Sequence, residues 1–232
     1  MKSEKITNEG SGRAKRWYDD ACGTALAMEL VGERWSLLIV RELMFGARRF
    51  GELKAALGGI SANVLTQRLE GLEAAHILKR VKLPSPANVQ VYELTPWGYA
   101  AEEPIKMLSA WAARSPDYNP MLPLSAASMM LSLRTMIDVG KAREAPGLTV
   151  GFSFGAESFL ARLAGGDLPI VRGAGAADIH FTTSPRIMAN IVYGKWPIEE
   201  AEAAGELVFS GDRDRARRFI DLFRLPAKAE VE

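Results

Sequence analysis

Apolar residues recur at helical spacing through the first part of the chain. Between residues 25 and 45 this spacing is interrupted at Gly32, which predicts two short helices that meet at this glycine. A short amphipathic helix is predicted at 50–57, because a glycine pair follows its last apolar residue. Ser61 is placed to cap a further helix over 61–74, which has its own apolar stripe.

Alternation of apolar and polar residues replaces helical spacing at 78–83 and 89–95. The two runs flank the segment PSPAN, which predicts a hairpin with a proline-stiffened tip. A further helix opens at Thr95 or Pro96, with a kink expected at Pro104. This helix is too apolar to face water, so we expect it to pack on the first helices or on a second subunit.

A short helix, a helix with small polar residues and a basic hairpin thus follow one another. This order is typical of a winged helix-turn-helix, which docks one helix in the major groove of DNA. The charge distribution supports double-stranded DNA as the partner. Residues 41–82 contain eight Lys and Arg against four Glu, whereas the whole chain has a formal charge of only +1. The nearly neutral remainder is expected to bind something else.

The helix over 61–74 is the candidate reader of bases. Its polar face presents Asn63, Thr66 and Gln67, and small polar side chains on a groove-bound helix reach base edges. On an isolated helix the same residues would be an ordinary solvated face. The helix before it and the basic strand after it favour the DNA-binding interpretation.

One block of residues carries a family resemblance. Cys22, the segment LVGERWSLLIVRELMFGARRFGELKAALGGISANVLTQRLEGLEAAHILKR and the segment VYELTPWG resemble the HxlR-type branch of winged-helix regulators, over roughly residues 22–112. The resemblance implies a cytoplasmic, homodimeric transcription factor that binds two DNA half-sites. It also implies DNA contacts at Arg48, Arg49, Ser61, Thr66, Gln67 and Arg68, and on the wing at Lys79 and Lys82.

Three features depart from the pattern of this family. Asn63 stands where many members have a basic residue, so its contact with DNA is expected to differ. The tip PSPAN carries no charge, so the wing is expected to hold phosphates from its strands rather than to insert its tip in the minor groove. His76 replaces a turn glycine and is expected to adopt the left-handed conformation for a structural reason.

Beyond residue 123 the pattern changes. A Met-rich helix is followed by short β-rich runs that glycines separate, and then by two more helices. Helices segregated from a mostly antiparallel sheet predict an α+β fold. The predicted organisation is a disordered arm at 1–16, a winged helix-turn-helix domain at 17–116 and a second domain at 117–232.

The second domain resembles the sterol-carrier-protein type 2 fold. The resemblance rests on Asp178 at the start of a strand, a short helix that ends at Gly194, the pattern Gly-x-Leu-x-Phe-x-Gly-Asp at 205–212, and a closing helix. It implies an apolar tunnel for a hydrophobic small-molecule effector. The candidate lining residues, each of which also suits an ordinary core, are Phe152, Phe154, Phe181, Met188, Ile191, Val192, Trp196, Phe209 and Phe219.

Cys22 is the only cysteine, which excludes an internal disulfide and is consistent with a reducing compartment. An isolated cysteine before an apolar helix is typical of a buried small residue, and the alternative is a redox or electrophile sensor. No apolar run reaches membrane-spanning length, and the first residues lack the apolar core of a signal peptide. These features predict a cytoplasmic protein without a membrane partner.

Catalytic and metal-binding functions are not favoured. The segment GFSFG at 151–155 matches G-x-S-x-G and precedes Asp178 and His180, but these two residues are not expected to form a relay with Ser153. A serine hydrolase at Ser153 is therefore a remote alternative. Two distant His and one Cys lack zinc-site spacing, and no phosphate-binding glycine motif is present, so no metal and no cofactor are predicted.

The sequence therefore predicts a homodimeric transcriptional repressor with an effector-binding second domain. The effector is expected to change the dimer geometry, so that the recognition helices no longer match successive major grooves. Two alternatives are a constitutive regulator with a purely structural second domain and a regulator switched through Cys22.

Overall fold

A computed structural model of the protein describes residues 18–120 and 122–230. The arm predicted at 1–16 lies outside these residues. The first half of the described chain consists of short helices and a two-stranded hairpin. Its elements are α1 (Gly23–Val31), α2 (Ser36–Leu43), α3 (Phe50–Ala56), α4 (Ala62–Ala74), β1 (Leu78–Lys82), β2 (Gln90–Leu94), α5 (Pro96–Ala100) and α6 (Glu102–Ala113).

The predicted signals set most boundaries in this half. The first two helices meet at Gly32, which directly follows α1. Ser61 caps α4, because its Oγ accepts a hydrogen bond from the backbone N–H of Val64 at 3.3 Å. The antiparallel hairpin pairs Leu78 with Leu94.

The kink predicted at Pro104 is not observed. The chain forms two helices that meet at Ala101, and Pro104 lies in the first turn of the second one. A backbone N–H has no intrahelical partner in the first turn, so a proline costs little there.

The second half is an α+β unit, as the sequence predicts. Its elements are α7 (Ala126–Met136), α8 (Val139–Glu144), β3 (Leu148–Phe154), β4 (Glu157–Leu163), β5 (Ile170–Arg172), β6 (Ile179–Thr182), α9 (Pro185–Val192), α10 (Ile198–Ala203), β7 (Val208–Gly211) and α11 (Arg213–Ile220). The strands form one sheet in the order β5-β4-β3-β6-β7. β3 and β6 are parallel, and the other three pairs are antiparallel.

The sequence pattern did not predict α8, α10 or the edge strand β7. None of the side chains of β7 is fully buried, so the strand lacks the apolar alternation that marks a half-buried strand. Gly211 makes its pairing with β6 possible. At φ 109° it lies so close to the β6 backbone that a Cβ atom would be 2.4 Å from the carbonyl oxygen of Asp178.

The two halves share one hydrophobic core. Buried side chains of the helix-turn-helix half and of the sheet belong to one continuous cluster. Phe45, which follows α2, packs edge to face on Phe159 of β4, with 5.7 Å between the ring centroids. α7 packs against both α2 and α6. The positions of α2 and α6 are therefore tied to the second half.

A buried group of charged side chains also links the halves. Arg48 precedes α3, and its backbone exchanges hydrogen bonds of 2.9 and 2.8 Å with Tyr92 of β2. Its guanidinium lies 3.2 Å from the carboxylate of Glu42 in α2 and 3.1 Å from that of Glu157 in β4. Arg48 thus joins the hairpin, α2 and the second sheet.

Glu42 is the centre of this charged group. Its side chain is fully buried, and its carboxylate accepts hydrogen bonds from Arg41 at 2.8 Å and from the Ser125 Oγ at 2.5 Å, in addition to that from Arg48. The Ser125 Oγ in turn accepts from the backbone N–H of Ser128 and so caps α7. A buried carboxylate without such partners would cost several kcal/mol, so the network fixes α2 relative to α7.

Candidate nucleic-acid interface

The polar face of α4 is free of internal partners. Leu65, Leu69 and the other apolar positions of α4 point into the core. Asn63, Thr66 and Gln67 lie on the opposite side and are exposed. Their side chains make no hydrogen bond within the part of the chain that the structure describes. Three neighbouring side chains of α4 thus offer donors and acceptors to an outside partner.

Arg68 holds α4 in place. Its Nη2 lies 2.8 Å from the carboxylate of Glu33, and its Nε donates to the backbone carbonyl of Arg34 at 3.2 Å. Both partners belong to the turn between α1 and α2. Arg68 is therefore already engaged within the molecule, and its guanidinium orients α4.

The prediction that Arg48 contacts DNA is wrong. Its side chain is only 7% exposed and is held by Glu42 and Glu157. A phosphate could not reach it without breaking this buried group. The family resemblance alone had implied a DNA contact at this position. Arg49, the next residue, is exposed at the start of α3, where its backbone N–H donates to Glu52 at 2.8 Å.

The strands of the wing carry exposed basic side chains. Lys79 lies 3.1 Å from Glu93 on the facing strand, and the two side chains are 54% and 36% exposed. Lys82 is exposed and has no ion pair among the described residues. Arg80 instead pairs with Glu73 at 2.8 Å and so fastens the wing to α4.

The turn before the wing has the expected backbone conformation at His76. His76 adopts φ 57°, as predicted, and its carbonyl accepts a hydrogen bond of 2.8 Å from the Thr95 Oγ1. The tip PSPAN is exposed and uncharged. The strands are thus the charged part of the wing.

Two features near this surface were not assigned from the sequence. Lys54 is exposed on α3 and has no ion pair among the described residues. Its charge contributed to the basic count, but the count does not show where the side chain lies. The anchoring of Arg68 by Glu33 is the second feature, and no sequence pattern signals a contact between residues so far apart.

Cys22 is exposed, so the expectation of a buried small residue is wrong. It stands at the N-terminus of α1. Hydrogen bonds from the backbone N–H groups of Thr24 and Ala25 lower the pKa of its thiol, because they stabilise the thiolate.

The residues predicted to line a tunnel mostly form a solid core. Phe152 stacks on both Phe154 and Phe181, with 6.0 and 5.8 Å between ring centroids, and Phe181 contacts Phe209 at 5.2 Å. The fully buried members of the predicted set are Phe152, Phe181, Met188, Ile191 and Val192. Phe219 is also buried, whereas Trp196 and Phe209 are partly exposed. These contacts leave the rings packed on one another rather than around a tunnel.

Ser153 and His180 are closer than the sequence predicts. They lie on the paired strands β3 and β6, and 2.9 Å separates Ser153 Oγ from His180 Nε2. Asp178 does not orient this histidine, since its carboxylate accepts from the backbone N–H of Thr149 and from Arg215. We expected neither residue to form a relay with Ser153. This expectation is wrong for His180, which is hydrogen-bonded to Ser153, and it holds for Asp178, which is not.

In the described ranges, no helix has the length and hydropathy needed to cross a bilayer. The same residues contain no group of three or more His, Cys, Asp or Glu side chains that could hold a metal ion.

Known proteins resemble the helix-turn-helix half. A family model described as HxlR-like helix-turn-helix matches residues 30–119. The uncharacterised HTH-type transcriptional regulator YvaP of Bacillus subtilis is 38% identical over 87 residues, which are 37% of this chain and 80% of YvaP. The HTH-type transcriptional regulator YodB of the same organism is 37% identical over 86 residues, which are 37% of this chain and 77% of YodB.

A solved structure of the reduced form of YodB is 34% identical to the chain. The match covers 41% of this chain and 95% of that one, with a TM-score of 0.39. The family match ends at residue 119, so the sheet and its helices lie outside it. Because the chain spans most of the length of these relatives, it belongs to the HxlR-like helix-turn-helix family of transcriptional regulators.

Proposed function

We propose that the protein inserts α4 in the major groove of double-stranded DNA and reads bases with Asn63, Thr66 and Gln67. The observation that carries this proposal is their exposed position on the second helix of the helix-turn-helix, without hydrogen-bond partners among the described residues. Asn and Gln amides can make paired hydrogen bonds with adenine, and a Thr methyl group packs on the thymine methyl. These three side chains therefore suit base recognition.

Phosphate contacts are assigned to exposed groups around α4. Arg49 and the hydroxyl of Ser61 lie at the starts of α3 and α4, while Lys79 and Lys82 lie on the wing. The exposed pair of Lys79 with Glu93 is worth little in water, so a phosphate can replace the carboxylate. Arg48 and Arg68 act as positioning residues.

The Gln67→Ala variant tests base reading. Against an operator fragment selected from random DNA, we expect its affinity to fall about 5- to 150-fold, because one bidentate base contact is lost. Affinity for unselected DNA should stay unchanged, since no phosphate contact is removed. Fluorescence anisotropy over a range of salt concentrations measures both quantities.

The Lys82→Ala variant on the wing is compared with Gln67→Ala, because it removes a proposed phosphate contact instead of a base contact. It should weaken binding to both DNAs and lower the slope of log affinity against log salt concentration by about 1 per chain. Arg186→Gln on α9 serves as the remote control. Equal losses on both DNAs for Gln67→Ala, or no loss, would contradict the assignment of α4.

We also propose that the protein is a homodimer through α1 and α6. α1 is apolar, yet it has no buried residue in the single chain. Leu26 and Met28 of α1 are 41% and 45% exposed, and Met107 and Trp111 of α6 are 73% and 71% exposed. Large apolar side chains that are exposed on helices favour a surface that another protein covers. A second copy would supply the second half-site contact.

A Trp111→Glu variant tests this interface. We expect it to behave as a monomer in sedimentation velocity and to lose most operator affinity, because a carboxylate would be buried against apolar side chains. Val208→Glu is the matched control, since Val208 is 69% exposed on β7, away from these helices. A dimeric Trp111→Glu protein would show that another surface joins the copies.

The second half is proposed to be sterol-carrier-like and to bind a hydrophobic effector that alters DNA affinity. A five-stranded sheet with its phenylalanine face packed against helices supports this assignment. The packed rings do not support an effector site among them. The alternative of a constitutive regulator remains open, with the second half acting only as a scaffold for α2 and α6.

A second candidate function is redox or electrophile sensing at Cys22. The thiol is exposed, and its lowered pKa increases the fraction of reactive thiolate near neutral pH. Cys22 directly precedes α1, which carries part of the proposed dimer surface. Modification of Cys22 would place a new group beside that surface.

The pH dependence of Cys22 alkylation tests this candidate. The rate with iodoacetamide should reach its midpoint at a lower pH in the folded protein than in the same protein in urea, where the hydrogen bonds of α1 are lost. Cys22→Ser should abolish any response of DNA affinity to diamide. Coincident pH profiles, or an unchanged response in Cys22→Ser, would exclude the sensor.

We infer no catalytic role for Ser153 and His180. Ser153 lies inside β3 rather than on a strand-to-helix turn, and no carboxylate orients His180 among the described residues. Gly151 leaves room for the imidazole, because a Cβ there would lie 2.2 Å from His180 Nδ1. The hydrogen bond of this pair joins the neighbouring strands β3 and β6, which is a structural role.

A further inference from the structure

A cleft lies at the junction of the two halves. α2 and α6 of the helix-turn-helix half form two of its walls, and α7 of the second half forms the third. Its volume is about 350 Å³, which lies within the range of small-molecule sites. Leu38, Leu108 and Met136 are among its apolar lining residues.

Polar groups converge on this apolar cleft. The side chains of Ser109 and Ser128 line it from opposite helices, and neither hydroxyl has a hydrogen-bond partner among the described residues. Ser132, also in the lining, shares a 2.6 Å hydrogen bond with Tyr193 and so is fixed by the second half. A ligand with a polar end and an apolar body would match this lining.

The charge of the cleft is positive. Arg41 is the only charged side chain among its lining residues. Its carboxylate partner, Glu42, also pairs with the buried Arg48, and Arg48 has a further carboxylate partner in Glu157. The Arg41 side chain remains 21% exposed and can accept a further anionic partner.

We propose that this cleft binds a small organic acid, with its carboxylate at Arg41 and its apolar body between α6 and α7. The exposed part of the Arg41 guanidinium favours an anion over a neutral molecule of the same shape, because an anion can form a charge-assisted hydrogen bond with it. The cleft is too small for a peptide helix, which is 10–12 Å wide with its side chains. The serine hydroxyls of the lining are further hydrogen-bond donors for a polar group of the ligand.

The site would act directly on the link between the halves. A carboxylate that takes Arg41 leaves Glu42 more fully to Arg48 and Ser125, which changes the group that fixes α2 against α7. The turn that precedes α2 is in contact with α4, because Glu33 and Arg34 in this turn bind the Arg68 side chain of α4. The inference thus rests on the proposed effector response, and it names the site and the ligand class.

The test uses the full-length protein without DNA, so its failure is separate from any failure of DNA binding. 1-Naphthoate is titrated by calorimetry, with 1-naphthalenemethanol as its uncharged analogue. We expect a dissociation constant for 1-naphthoate between about 10 µM and 1 mM, as for a well-placed ligand of this size. The uncharged analogue should bind at least about 5-fold more weakly.

Two variants locate the site. Arg41→Gln should weaken 1-naphthoate at least about 10-fold and leave the analogue almost unchanged, because only the charge contact is lost. Ser109→Phe fills the cleft from the side of α6 that faces away from Met107 and Trp111, and it should block both compounds. Arg186→Gln is the control for removing an exposed positive charge.

No binding of 1-naphthoate to the wild-type protein would overturn the proposal, and a second copy that fills the cleft would give this result. Binding that survives both Arg41→Gln and Ser109→Phe would also overturn it, because the compound would then lie elsewhere. Circular dichroism verifies that both variants are folded, so that loss of binding is assigned to the cleft.

Discussion

The carboxylate of Glu42 has no contact with solvent, and this constraint connects most of the molecule. A buried charge is tolerated only where cations and donors surround it, and here they come from three places. Arg41 is its neighbour on α2, Arg48 follows from the turn before α3, and Ser125 caps the first helix of the second half. Because Arg48 also pairs with Glu157 and with the backbone of Tyr92, one charged group aligns the wing, α2 and the sheet.

This arrangement explains how a set of short helices can hold the polar face of α4 in a defined position. α4 is fixed on its apolar side by buried leucines and on its edge by Arg68, while its polar face stays free. The wing is fastened to α4 by Arg80 and Glu73 and to the turn before α3 by Arg48. Several basic residues thus position the interface, and the exposed ones beside them are left to meet phosphates. The cleft beside Arg41 lies at the same junction, so a ligand there would act on the group that aligns the halves.

Local signals predicted much of the fold. The helix-turn-helix, the cap at Ser61, the left-handed His76 and four of the five sheet strands follow from periodicity, capping and turn residues. The edge strand β7 was missed because its side chains are mostly exposed, and the short helices α8 and α10 were missed as well. Arg48 was misplaced because burial of a charge depends on partners distant in sequence, such as Glu157. The cleft could not be predicted either, because its walls are formed by α2, α6 and α7, which are distant in sequence. The phenylalanines were suited to either a tunnel or a core, and only packing decided between them.

The central claim is that the buried group around Glu42 holds the two halves as one unit. Urea unfolding of the Glu42→Gln variant, followed by tryptophan fluorescence and circular dichroism together, tests it most directly. The account predicts one shared transition for the wild-type protein and a loss of about 3 kcal/mol in the variant, because Arg48 would keep a buried charge with a lost partner. Glu103→Gln, which removes an exposed pair with Lys106, should cost less than about 1 kcal/mol. Two separate transitions in the wild-type protein, or equal losses in the two variants, would contradict the account.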